Sequence, residues 1–168
     1  MEGKLTSESR TIMTEIILPA DTNYHGTVFG GYVMSKIDKV AAIASMRHSR
    51  SSVVTASSDS LDFLAPIREG EAMILESFVS WTHRSSMEVY VKVESENLYT
   101  GERKLTATSY LTFVALDDAK KPVPVPPVVP ETEEERRHYE SASQRYEQRK
   151  RRKALRRSNS DSEDGSTA

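Results

Sequence analysis

Cysteine is absent. Its absence excludes thiol nucleophiles, disulfides and thiolate metal sites together, and leaves the redox compartment unspecified. No apolar run approaches the roughly 20 residues of a membrane span. The first residues, Met1 to Glu8, lack the apolar core of a secretory leader, so a soluble cytoplasmic protein is expected. Charge of one sign is also missing. A net −2 gives no global field toward nucleic acid or membrane. The four histidines, at 25, 48, 83 and 138, show no ligand spacing, and no metal site is expected. Gly26-x-x-x-Gly30 lacks the Lys-Ser/Thr of a phosphate loop, and no Gly-x-Ser-x-Gly elbow occurs. Glycine and proline are scarce, seven of each, and both are concentrated. Three glycines (26, 30 and 31) lie in one loop, and five prolines lie between Pro122 and Pro130.

The glycine loop organises the chain. Asn23-Tyr-His-Gly-Thr-Val-Phe-Gly-Gly31 runs into an apolar helix extending to about Arg47. At helical spacing Val33, Ile37, Val40, Ala41 and Ala44 form one buried stripe. Gly30 and Gly31 fall where the helix begins. There, unpaired N–H groups and the positive end of the helix dipole face whatever binds. Asp38 sits mid-helix with Met34, Ser35, Ala41 and Ala42 as its i±3 and i±4 neighbours, none a cation. Such an acid is commonly solvated or paired at a distance. The loop upstream supplies the other half of a possible site.

Residues 1–9 are polar and expected to be loose. Residues 10–121 read as one domain: a strand at 10–18, the loop and helix, then strands at 53–63, 71–81, 87–97 and 104–116. Val53, Val54, Leu61 and Phe63 read as apolar anchors. Met87, Val89, Val91 and Val93 alternate with polar neighbours, and so do Leu105, Ala107, Leu111, Phe113 and Ala115, interrupted at Ser109. This order implies an α+β fold with an antiparallel sheet around one long helix. With a single helix to cover the sheet, its edges call for a second chain. Residues 122–130 form a proline-rich strap. Residues 131–155 read as a charged helix capped at Thr132, and residues 156–168 as a disordered tail.

Asn23-x-His-Gly-Thr-x-Phe-Gly-Gly followed by Met34-x-x-x-Asp38 resembles the signature of hot-dog-fold acyl-CoA thioesterases, the acyl-CoA hydrolase family with brain-type cytosolic members and short bacterial relatives. Val54-Thr-Ala-Ser57 with Leu61-Asp-Phe63, Arg84-Ser-Ser-Met-Glu-Val89, Phe113-Val-Ala-Leu116 and Pro122-Val-Pro-Val-Pro126 resemble further family segments in the same order. The likeness spans roughly residues 10–140. It implies a hot-dog fold, homodimers that often associate as trimers of dimers, and an active site at the dimer interface. The functional pair implied is Asn23 of one subunit and Asp38 of its partner.

Thioester hydrolysis needs an activated water or nucleophile, an oxyanion stabiliser and a grip on CoA. Asp38 can serve as general base or attack the carbonyl itself. Asn23 can orient the water or hydrogen-bond the carbonyl. The N–H groups near Gly30 and Gly31 are oxyanion candidates. His25, Thr55, Ser57, Arg84, Ser85 and Ser86 are candidate substrate or CoA contacts, with Arg68 a weaker one. No cofactor is expected, because coenzyme A is part of the substrate. Two other readings are a hydratase or dehydratase on the same fold, and a non-catalytic acyl-CoA or RNA-binding module. Eight cations between residues 145 and 157 could hold phosphates. With few aromatics beside them they read instead as a solvated helix face, dispensable for hydrolysis, and a nucleic-acid partner is not expected.

Overall fold

Period-two patterning builds the sheet and period-3.6 patterning builds the helix laid on it. The computed structural model describes the backbone of residues 1–164 and the side chains of residues 1–155. In chain order the elements are β1 (Lys4–Leu5), β2 (Thr11–Ile16), α1 (Gly30–Ser49), β3 (Ser52–Phe63), β4 (Ala72–Thr82), β5 (Ser86–Glu96), β6 (Arg103–Leu116), β7 (Val128–Val129) and α2 (Glu133–Asp164). Five strands form one antiparallel sheet in the order β2-β4-β5-β6-β3. Strands β4, β5 and β6 make a meander. β3 pairs with β6 rather than with its sequence neighbour, so β2 and β3 become the edges.

Helix α1 packs across one face. Val33, Ile37, Val40, Ala41 and Ala44 are buried as the spacing predicts, joined by Ser45 and His48. No side chain caps its N-terminus. Its stability therefore comes from packing, about 1.5–3 kcal/mol for each large apolar side chain fully buried. Met87, Val89, Val91, Val93, Leu111 and Phe113 supply the facing surface. Ser109 interrupts the apolar alternation of β6, yet it is buried and donates to the Ser60 carbonyl at 2.6 Å. That bond satisfies its hydroxyl inside the sheet.

Several expectations need correction. Residues 1–9 are not loose. β1 pairs in parallel with β7, Thr6 and Ser9 are buried, and Ser9 Oγ accepts the Val79 N–H. The proline strap is held along its length. Val123 N–H donates to Ala115, Val125 N–H to Arg84, and His48 Nε2 lies 2.8 Å from the Pro126 carbonyl. Val54, Phe63 and Leu105 are exposed rather than core anchors, whereas Val53 and Leu61 do pack on the core.

The larger correction concerns the far face of the sheet, which a second helix covers. Glu88 and Tyr90, the polar alternates of β5, are buried beneath α2. Phe78, Tyr90, Tyr110 and His138 make an aromatic cluster there, with His138 stacked on Tyr90 at 3.9 Å. Burial pushes the Tyr90 hydroxyl up to about 12. The carboxylate of Glu88, 1% exposed, accepts hydrogen bonds from Arg145 Nε and Nη2, Arg149 Nη1 and Ser80 Oγ. Arg145 also lies over the Tyr110 ring at 3.8 Å. Arg149 and Arg152 hold Asp59 of β3. The charge run is thus a docked face and not merely a solvated one. α2 also continues past the expected end at residue 155 to Asp164. The part of the expected disordered tail at 165–168 lies outside the described residues.

A buried carboxylate left without its partners costs roughly 3–5 kcal/mol. Deleting residues 145–168 is expected to cost that much in urea unfolding. Arg149→Ala should cost less, about 2 kcal/mol, because Arg145 and Ser80 remain. Unchanged urea midpoints would contradict this account. His48 and His138 are both held below the ordinary 6.5 by burial. A depressed folded-state value means that protonation favours the unfolded chain. Their stabilisation is complete above a pH of about 6.5 and is lost as pH falls toward the folded values. The urea midpoint is expected to be lower at pH 5.5 than at pH 7.5, and equal midpoints would refute the assignment.

Candidate functional site

The rotation of α1 that buries Ile37 decides where Asp38 goes. One residue on, about 100° round the helix, Asp38 falls at the border of the buried stripe and is partly exposed. The partner it needed from outside the helix is Thr55 of β3, whose Oγ1 donates to Asp38 Oδ1 at 2.7 Å. Oδ2 has no hydrogen-bond donor among the described residues. The β3–β6 register breaks just after Thr55, leaving Ala56 as an extra residue, and breaks again at Asp59. Bulges of this kind bend a strand and re-aim its side chains.

The loop before α1 is fixed by its own asparagine. Asn23 Oδ1 accepts the His25 N–H at 2.9 Å, and Nδ2 donates to Thr27 Oγ1 at 3.1 Å. Asn23 N–H donates to the Thr27 carbonyl at 2.8 Å, and Gly26 N–H to the Asn23 carbonyl at 3.1 Å. Gly26 has φ +72°, the left-handed conformation that favours glycine. Val28 N–H donates to Ile67 at 2.8 Å, tying the loop to the turn that carries Arg68. One hydrogen of the Asn23 amide remains without an acceptor among the described residues.

The N–H groups of Gly30 and Gly31 donate to no acceptor among the described residues. At Gly30 an added Cβ would meet only the Phe63 ring edge at 3.6 Å, an ordinary contact. The chain's own packing therefore does not require glycine there. A cavity of about 350 Å³ opens beside this helix start, lined by Thr27, Gly30, Phe63, Leu64, Pro66 and Thr106 among others.

Among the sequence candidates, Asp38 and Thr55 come into direct contact. No hydrogen bond links Asn23 to Asp38 within the chain. His25 is exposed, its ring tilted 41° against that of Tyr24 at 3.9 Å between centroids. Arg84 is exposed and outside any ion pair among the described residues, and Ser85 lies beside it in the turn before β5. Ser57 and Ser86 line a different cavity beneath α2. Arg149, Lys150, Arg152 and Lys153, read from the sequence as a solvated face, share that cavity. Their i, i+1, i+3, i+4 spacing was the available signal.

A family model for the thioesterase superfamily matches residues 25–102. The chain is 57% identical over 132 residues to the uncharacterized acyl-CoA thioester hydrolase YkhA of Bacillus subtilis, covering 79% of this chain and 77% of that protein. It is 35% identical over 134 residues to the cytosolic acyl coenzyme A thioester hydrolase of Rattus norvegicus, covering 79% of this chain and 35% of that longer protein. Among solved structures, a hexameric acyl-CoA thioesterase in its apo form superposes with a TM-score of 0.90 at 54% identity, covering 92% of this chain and 99% of that one. The acyl-CoA hydrolase of Staphylococcus aureus in complex with butyryl coenzyme A and coenzyme A superposes with a TM-score of 0.90 at 44% identity, covering 94% and 96%. Alanine mutants of that enzyme at an aspartate, an asparagine and a threonine superpose with TM-scores of 0.92, 0.91 and 0.90. A sheet in the order β2-β4-β5-β6-β3 across one long helix, with this likeness over most of the chain, places the protein in the hot-dog family of acyl-CoA thioester hydrolases.

Proposed function

We propose that this acyl-CoA hydrolase cleaves its thioester with Asp38 as the reacting carboxylate, Thr55 as its orienting donor and Asn23 of a second subunit as the group that positions water or carbonyl. The observation that carries the reading is the 2.7 Å Thr55–Asp38 hydrogen bond. It occupies one carboxylate oxygen and leaves the other for a water or for the thioester carbon. The three residues replaced by alanine in the Staphylococcus enzyme are spaced 15 and 17 residues apart. Asn23, Asp38 and Thr55 have the same spacing here.

The chemistry then divides by element. The unpartnered N–H groups of Gly30 and Gly31 suit the oxyanion, since donors at a helix start act on developing negative charge. The cavity of about 350 Å³ beside Gly30 suits an acyl chain, with Phe63, Leu64 and Pro66 in its wall. Arg84 is available for the phosphates of CoA, and His25 is a second exposed candidate contact.

A homodimer is proposed because both halves of the site lie against open surface. Phe29, Met34, Val54, Phe63 and Leu64 are each between 46% and 60% exposed, more large apolar surface around one loop and one strand than a monomer usually leaves. The free edge of β3, 12 residues long, can pair with its copy. Trimers of such dimers would give the hexamer named for one solved relative. Cytoplasmic action is proposed on the name of the rat relative; among the described residues no helix is long and apolar enough to cross a membrane.

Steady-state release of CoA from a series of acyl-CoAs tests the roles. Asp38→Ala is expected to lower kcat roughly 10,000-fold, and Asn23→Ala about 100-fold. Thr55→Val keeps the volume but deletes a hydrogen bond to a charged group, which contributes about 1.5–3 kcal/mol. It should lower kcat at least tenfold, with Thr55→Ser restoring most of it. Activity within a few fold of wild type for Asp38→Ala would end the assignment.

A further inference from the structure

Strand β3 carries two irregularities that its own packing does not fix. Its middle, Ala56-Ser-Ser-Asp-Ser60, holds no large apolar side chain. It is an edge strand, paired within the chain only with β6. Register is weakly specified where a strand offers the core no anchor. Yet register matters here. Val53 packs on the core and Thr55 reaches Asp38, so both face α1. Each extra residue then moves the alternation on by one. After Ala56 the even-numbered Ser58 pairs with Leu111 of the core; after Asp59 the odd-numbered Leu61 packs on the core again. The second bulge cancels the first, and without it Leu61 would leave the core.

Asp59, the extra residue of the second bulge, is gripped from α2. Arg149 Nη1 donates to its Oδ2 at 2.5 Å, and Arg152 Nη2 to its Oδ1 at 2.9 Å. Its side chain is 12% exposed. The same Arg149 nitrogen donates to Glu88 Oε2 at 2.7 Å. Glu88 belongs to β5, the middle strand of the five, and is itself held by Arg145 and Ser80. The Arg149 guanidinium therefore reaches across β6 and ties the irregular edge strand to the centre of the sheet. Thr55 lies four residues before the gripped carboxylate, on the same strand.

We propose that Asp59 and Arg149 are positioning residues for hydrolysis: by fixing the second bulge of β3 they hold Thr55 Oγ1 on Asp38. The proposal rests on the reading of Asp38 and Thr55 given above. Neither Asp59 nor Arg149 approaches the reacting atoms, because both lie on the opposite face of the sheet. Thr55 has a short side chain, so its contact with Asp38 depends on where the strand runs. A slip of β3 by one residue turns Thr55 to the far face, and smaller displacements weaken a 2.7 Å hydrogen bond steeply. The charged face of α2, read from the sequence as dispensable for hydrolysis, becomes part of what orients the reacting carboxylate. The buried ion pairs then select one register of β3, which the small residues between Thr55 and Leu61 do not select by packing.

A double-mutant cycle on kcat in the full chain tests this. Asp59→Asn keeps the size of the side chain but turns one of two acceptor oxygens into a donor that faces a guanidinium. It should lower kcat roughly tenfold, the scale of a sub-ångström misplacement, and leave KM for acyl-CoA within about twofold, because positioning acts on the chemical step. In a Thr55→Val background no donor remains to be positioned, and Asp59→Asn should change kcat by less than about twofold. Arg149→Met, which keeps the aliphatic stem, should repeat both results and carries the test if Asp59→Asn folds poorly. All variants are assayed at one temperature below the lowest of their thermal midpoints. Wild-type kcat in either folded variant overturns the proposal. So does an equal loss with and without the Thr55 hydroxyl, which would mark a general loosening of the fold. Wild-type kcat in Thr55→Val alone would remove the underlying reading and the proposal with it. That variant leaves Asp59 and α2 untouched, so the two failures are told apart.

Discussion

The phase of α1 about its own axis is the constraint from which the rest follows. Val33, Ile37, Val40, Ala41 and Ala44 can be buried together in only one rotation of the helix against the sheet. That rotation leaves Asp38 at the border of the stripe, where Thr55 reaches it. A turn of the helix by one residue would bury the carboxylate against Val89 and Phe113, with no donor to meet it and a desolvation cost that packing could not offset. Core packing and placement of the Asp38 carboxylate are thus one requirement. The sequence meets it with small residues, Ala41, Ala44 and Ser45, which let the helix approach the sheet closely.

The second face obeys a different logic. There the sheet presents Ser80, Glu88, Tyr90 and Tyr110, and α2 answers with His138, Arg145 and Arg149. A buried carboxylate is tolerable because donors surround it, and the same donors fix α2 in a single register. Apolar area alone would hold α2 less specifically, since any helix face of similar width could substitute. Asp59 carries the network into β3, at its second bulge and four residues from Thr55. The docked tail and the strand that orients Asp38 are therefore parts of one connected structure.

The strands and α1 were legible because each shows its period within a few residues: alternation from Met87 to Val93, and 3.6-residue spacing from Val33 to Ala44. The residues of the site were legible as candidates, since a glycine loop followed by an isolated helical acid is a local pattern. The Asp38–Thr55 contact was not, because only the crossing of α1 over β3 sets it. The pairing of β1 with β7 escaped for the same reason: Lys4 and Val128 are far apart in the chain, and neither segment has a strand period of its own. The arginines of α2 misled for a physical reason. A charge run is read as solvated unless its counter-charge is in view, and Glu88 sits 57 residues before Arg145, in a strand where alternation suggested solvent.

The central claim is that two subunits complete one reaction centre, Asn23 entering from one and Asp38 from the other. Mixing measures this directly. Asn23→Ala and Asp38→Ala chains, each nearly inactive alone, are unfolded, combined in equal amounts and refolded together. If the site is shared, random pairing gives mixed dimers with one intact centre each, and activity recovers to roughly a quarter of wild type. Activity in the mixture no greater than the average of the two variants alone, with mixed dimers demonstrated by mass, would mean that each chain carries its own complete site.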